Sequence, residues 1–159
     1  METRRQLSMY SHISKTWQGI FHDKAGNIRE RAIELRKEPA LLRLERPSRL
    51  DRARALGYKA KEGVVVVRAR VSRGGMRRKR PVSGRRPKHM GVLKMKSRTS
   101  AQKVAEQRVL KRYPNMRVLG SYILWKDGRF AWYECVLADP YNPSIKNDYN
   151  YRRAFGVIG

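Results

Sequence analysis

Between Glu62 and Glu106 the chain has no acidic residue, yet residues 63–105 hold fourteen lysines and arginines. Inside that stretch VSRGGMRRKRP (71–81) sets Arg73 beside Gly74-Gly75, then runs through Arg77, Arg78, Lys79 and Arg80, with Arg85, Arg86, Lys88 and Arg98 beyond. The chemistry open to such a set is the neutralisation of phosphates. Each contact displaces condensed counterions, and a guanidinium fork fits two phosphate oxygens at once. The counter-charges must come from outside the segment. Gly74-Gly75 let the chain turn away from regular structure, while Pro81 and Pro87 stiffen an extended trace.

A second basic set includes Arg49, Arg52, Arg54, Lys59 and Lys61, with Arg43 and Arg46 just before it. On a short helix opened by Pro47-Ser48, Arg49, Arg52 and Arg54 are expected to form a phosphate-facing side opposite Leu50 and Ala53. Asp51 and Glu45 supply partial pairing. Arg68 and Arg70 alternate with Val67, Ala69 and Val71, so they share one face of a strand and are expected to begin the basic surface.

Catalysis finds little support. His12, His22 and His89 are scattered, with no nucleophile or carboxylate at a recognisable spacing. Gly74-Gly75 lacks the Lys-Ser/Thr ending of a phosphate-binding loop, and carboxylates cluster nowhere, against a two-metal site. The single cysteine, Cys135, rules out an internal disulfide or a multi-cysteine zinc site and reads as a buried apolar residue. The expectation is no enzyme, no metal, no cofactor and no small-molecule substrate. Tyr122, Trp125, Phe130, Trp132 and Tyr133 are expected to pack a core rather than stack on bases.

The whole composition agrees. Thirty-eight Lys+Arg against thirteen Asp+Glu give a formal charge of +25, while 40% hydrophobic residues suffice for a core. Charge on that scale weakens a compact state unless a polyanion neutralises it. Nucleic acid is the leading partner and an anionic membrane surface the weaker one. No apolar run approaches the ~20 residues that cross a bilayer, and no signal peptide is visible. An intracellular protein without a membrane partner is expected. A duplex-DNA reader would more often carry its arginines on a helix, whereas an extended basic loop suits folded RNA. An architectural, chromatin-like DNA-binding protein is the alternative.

These residues need a scaffold. Met9, Ile13, Trp17 and Ile20 or Phe21, then Ile28, Ala32 and Leu35, follow helical spacing on either side of Gly26-Asn27. They predict an N-terminal helical hairpin over 1–39. Residues 40–140 read as the core. A short strand spans Ala40–Glu45, and a helix is capped by Ser48 with Asp51 and closed at Gly57. A strand over Val64–Val71 precedes the basic loop at 72–98. A helix follows from Thr99 with Gln102, and two strands, Met116–Trp125 and Phe130–Ala138, are joined by Asp127-Gly128 in an expected type I′ turn. Residues 141–159 read as an irregular tail. The order predicts an α+β fold, a small and mostly antiparallel sheet with helices on one face.

Arg52-Ala-Arg-Ala-Leu-Gly-Tyr-Lys-Ala-Lys61, Gly63-Val-Val-Val-Val-Arg-Ala-Arg-Val71 and Arg73-Gly-Gly together resemble the large-subunit ribosomal protein fifteen-e family of archaea and eukaryotes. Lys79-Arg-Pro81, Gly84-Arg-Arg-Pro-Lys88, Ala105-Glu-Gln-Arg108, Val118-Leu-Gly-Ser-Tyr122, Trp132-Tyr-Glu134 and Asp139-Pro140 extend the match in consistent order from about residue 9 to 156. The resemblance implies a structural protein of the large ribosomal subunit, cytoplasmic, non-enzymatic, and bound to large-subunit rRNA and neighbouring ribosomal proteins. By position, its RNA contacts fall on Arg52, Arg54, Lys59, Arg73, Arg77, Arg78, Lys79, Arg80, Arg85, Arg86 and Lys88. The family usually continues past the stretch resembling Arg153-Ala-Phe155 with a glycine- and basic-rich tail. This sequence reads only to Gly159, a short form that leans towards an archaeal source.

Overall fold

The computed structural model describes residues 8–22, 26–74, 79–91 and 97–156. Among them, helices α1 (Met9–His22) and α2 (Gly26–Lys37) precede strand β1 (Leu41–Leu44), helix α3 (Leu50–Ala55) and strand β2 (Val64–Ser72). After a single 3₁₀ turn at Pro87–His89 come helix α4 (Ala101–Arg112), strands β3 (Arg117–Lys126) and β4 (Phe130–Ala138), and helices α5 (Pro143–Lys146) and α6 (Tyr149–Phe155). The strands form one antiparallel sheet in the order β1-β2-β4-β3, so the class is α+β.

Register decides what each face does. Opposite β2, strand β4 pairs Val65 with Leu137, Val67 with Cys135, Ala69 with Tyr133 and Val71 with Ala131. These eight side chains form one face, closed by Ala105 and Val109 of α4. The intervening pairs, Val66 with Val136, Arg68 with Glu134 and Arg70 with Trp132, lie on the other face. There Ala53 and Tyr58 pack over Val66 and Val136, while Leu35 and Trp17 close over Trp132 and Leu124. The expected one-sided cover is therefore corrected, because helices lie on both faces. Continuous apolar stretches such as Val64–Val67, and a β4 buried from Ala131 to Ala138, are what double cover produces. Full burial of each large apolar side chain here stabilises by about 1.5–3 kcal/mol. Edge strand β3 carries two register shifts, at Val118/Gly120 and Ile123/Trp125. Such irregularities blunt an edge against pairing with other chains.

Local signals hold unevenly. Gly57, at φ +90°, closes α3 as expected: Tyr58 N–H donates to the Ala53 carbonyl at 2.9 Å and Gly57 N–H to that of Arg54 at 3.0 Å, the paired bonds of a Schellman motif. The helix start differs. Arg49 is the N-cap, without a side-chain cap, because Ser48 turns to Glu134 instead of closing a box with Asp51. α4 begins one residue late, with Ser100 Oγ accepting from Lys103 N–H at 3.2 Å. Gly26-Asn27 lies inside the first turn of α2 rather than between the two helices.

The type I′ turn is absent: neither Asp127 nor Gly128 has a positive φ. Asp127 Oδ1 instead accepts from the backbone N–H groups of Arg129 at 2.7 Å and Phe130 at 2.5 Å, so a carboxylate organises the reversal. The tail expectation is corrected too. Asn142 and Asp148 cap α5 and α6, and Ile145, Tyr151 and Phe155 dock them against Ala138, Val64 and Leu119. Gly63 admits this docking. It has φ +82°, and a Cβ there would come within 2.8 Å of Ile145 Cγ1.

Candidate nucleic-acid interface

Four of the expected contact residues are engaged within the fold. Arg49 is 6% exposed, its guanidinium 3.1 Å from Asp51 Oδ2 and 5.5 Å from the centre of the Trp17 ring. Arg68 donates to both oxygens of Glu38, at 2.8 and 2.7 Å, to Ser48 Oγ at 3.0 Å and to Glu134 at 3.4 Å. Arg70 donates to the Arg36 carbonyl at 2.6 Å and lies over the Phe130 ring. Arg73 donates to the Asp127 carbonyl, and its own N–H to the Arg129 carbonyl at 2.8 Å. Arg68 and Arg70 do share a face, but that face is covered. Arg70 and Arg73, with Arg36 paired to Asp127 at 2.8 Å, fasten the root of the basic loop to α2 and the β3–β4 turn.

Lys59 and Lys61 form a second group. Both donate to Asp148 Oδ2 at 2.8 Å and lie over the Tyr151 ring, whose hydroxyl donates to the Gly57 carbonyl at 2.8 Å. These two lysines hold the Asp148 carboxyl well below the usual carboxylate range. Asp127 is also lowered: burial alone would raise it, but the N–H groups of Phe130 and Arg129 and the Arg36 guanidinium outweigh that. A carboxylate depressed in the folded state stabilises fully above its unfolded value of about 3.9 and loses that contribution as pH falls further. Thermal midpoints should accordingly drop between about pH 4 and pH 2, more steeply for the parent than for Asp148→Asn. Identical pH profiles would remove the pair from the account.

The third group is open. Arg52 and Arg54 are exposed on α3, and Lys79, Arg80, Arg85, Arg86, Lys88 and Arg98 are exposed along the loop. None of these loop cations makes an ion pair with another described residue. Consecutive left-handed residues, Ser83 at φ 71° and Gly84 at φ 66°, bend the loop. Lys79, Arg80, Arg85 and His89 thereby line one open concavity of about 460 Å³. Arg77 and Arg78 lie outside the described residues.

What sequence reasoning missed is the set of internal acids. Glu134 is fully buried and accepts from Ser48 N–H at 3.0 Å, Ser48 Oγ at 2.6 Å and the Tyr122 hydroxyl. Its cross-strand place opposite Arg68 was available only once register was known. Burial first, then the Glu134 charge, push the Tyr122 phenol far above its ordinary value, so it remains a donor. Burial likewise pushes the Cys135 thiol up to about 12, with Glu106 and Glu134 adding to it, and leaves an unreactive packing residue. Among the described residues no group of three or more His, Cys, Asp or Glu side chains could hold a metal.

An α+β core that pairs Arg49, Lys59, Lys61 and Arg68 with its own carboxylates, and that carries a basic loop whose described cations have no such pairing among the described residues, has the make-up of a small assembly protein built around a polyanion. A family model described as Ribosomal L15 matches residues 8–153. The large ribosomal subunit protein eL15 of Methanocella arvoryzae is 49% identical over 144 residues, which cover 90% of this chain and 74% of that relative. The chain belongs to the L15e family of ribosomal proteins. It is a structural constituent of the large ribosomal subunit, located in the cytoplasm within the ribosome, beside rRNA and other ribosomal proteins. The architectural DNA-binding alternative is not favoured.

Proposed function

We propose that the chain binds and stabilises large-subunit rRNA chiefly through a strap at residues 72–98, with Arg52 and Arg54 of α3 as a flanking contact, and that it catalyses no reaction. The observation that carries this reading is the unequal treatment of its cations. Arg49, Lys59, Lys61 and Arg68 have carboxylate partners inside the fold. Lys79, Arg80, Arg85, Arg86, Lys88 and Arg98 have none among the described residues. Unmatched cations on a glycine- and proline-punctuated trace suit an irregular phosphate backbone. The N-terminal helices and the core then serve as the anchor that presents the strap.

Amide exchange tests the division. In the free protein, amides of residues 79–91 should exchange fast while β2 and β4 stay protected. Within residues 79–91 the backbone hydrogen bonds are local ones, from His89 to Arg86 and from Met90 to Pro87. On binding large-subunit rRNA the loop should gain protection. Loop exchange unchanged by saturating rRNA would overturn the proposal.

A further inference from the structure

The C-terminal segment carries a surface separate from the strap. α6 turns Tyr151 and Phe155 inward, their rings stacked at 6.4 Å between centroids. Tyr149, Arg152 and Arg153, spaced by three and four, share the opposite face. Tyr149 is 66% exposed, and both arginines are exposed. Arg152 Nε donates to the Lys146 carbonyl at 2.7 Å, which holds that guanidinium against the end of α5. The neighbouring acid, Asp148, is turned away to Lys59 and Lys61 and leaves this face positive. Tyr141, 82% exposed in the turn before α5, is a second open ring on the same segment. A ring left in water beside two exposed cations, one of them held in place, has the make-up of a base-stacking contact: every nucleobase offers a π-face to the ring, and flanking phosphates meet the cations.

We propose that Tyr149, Arg152 and Arg153 form a contact for unpaired RNA, with one base stacked on Tyr149 and its flanking phosphates on the two arginines. This rests on the reading of the chain as an rRNA binder but uses residues outside the strap, so the two ideas fail separately. Duplex RNA, whose bases are already stacked, cannot satisfy Tyr149.

The test measures binding of the full chain to a single-stranded oligoadenylate of about ten nucleotides and to an RNA duplex of equal length. Tyr149→Ser should weaken the single strand by roughly 5- to 150-fold, leave the duplex unchanged, and be reversed by Tyr149→Phe, which keeps the ring. Equal losses on both RNAs, no loss on either, or an effect of Arg152→Gln and Arg153→Gln without one of Tyr149→Ser would overturn it. The last pattern would mark a plain anionic contact, such as an acidic protein segment. Repeating the series with Arg80, Arg85 and Arg86 changed to Gln separates the readings. If that loop variant binds rRNA as tightly as the parent, the strap proposal fails while a Tyr149-specific loss still stands.

Discussion

Glu134→Ala is expected to lower the stability of the free protein by about 3–5 kcal/mol, the range for removing one partner of a buried ionic network. The side chain is fully enclosed and serves the backbone and hydroxyl of Ser48, the Tyr122 phenol and the Arg68 guanidinium. Those donors come from the entry to α3, from β3 and from β2, so one carboxylate joins three elements. Truncation leaves the phenol and the Ser48 N–H without an acceptor in a dry interior, at about 1–3 kcal/mol for each such group. Glu134→Gln should recover only part of the loss. The carboxylate only accepts, whereas a glutamine NH₂ would confront donors at whichever oxygen position it took. Urea unfolding reads the result as a shifted midpoint at constant slope. A loss under about 1 kcal/mol for the alanine variant would show that water replaces the carboxylate without difficulty.

The second large effect concerns binding, not folding. Changing Arg80, Arg85 and Arg86 to Gln should weaken rRNA binding roughly 100-fold at low salt and flatten the log–log salt dependence by about 2–3. These side chains are exposed, and none is ion-paired to another described residue, so the thermal midpoint should stay within the small range of neutral surface changes. Arg68→Gln should behave in the opposite way, lowering the midpoint while leaving the salt slope alone, since its guanidinium is held by Glu38 and Glu134. A triple loop variant with an unaltered slope would contradict phosphate contact at these positions.

The contrast between those variants shows what could be read from the sequence. The fold class, the β2 and β4 strands and the position of α4 followed from periodicity, because Val64–Val71 and Phe130–Ala138 carry their burial in their own residues. The strap's charge was equally plain. The fate of Arg49 and Arg68 was not. Arg68 finds Glu38 and Glu134 far away along the chain, and Trp17 comes from α1 to Arg49. Alternation placed Arg68 and Arg70 on one face but could not say that α1, α2 and α3 would cover it. Asp127-Gly128 announced a reversal correctly and its geometry wrongly, because the Asp127 carboxylate offers the backbone an alternative to positive φ. The C-terminal helices were hidden by polar composition, with Ile145, Tyr151 and Phe155 too sparse to register as a pattern.

The fastening of the strap's root to the β3–β4 turn, with the Ser100 cap at its far side, has a kinetic side. A terminal tail can peel from its partner one residue at a time, starting at the free end. A segment held at both ends has no such end to start from, and its closure entropy is already set by the folded core. For the proposed strap contact, release would then require several contacts to break together, which lengthens residence time more than it raises the rate of capture.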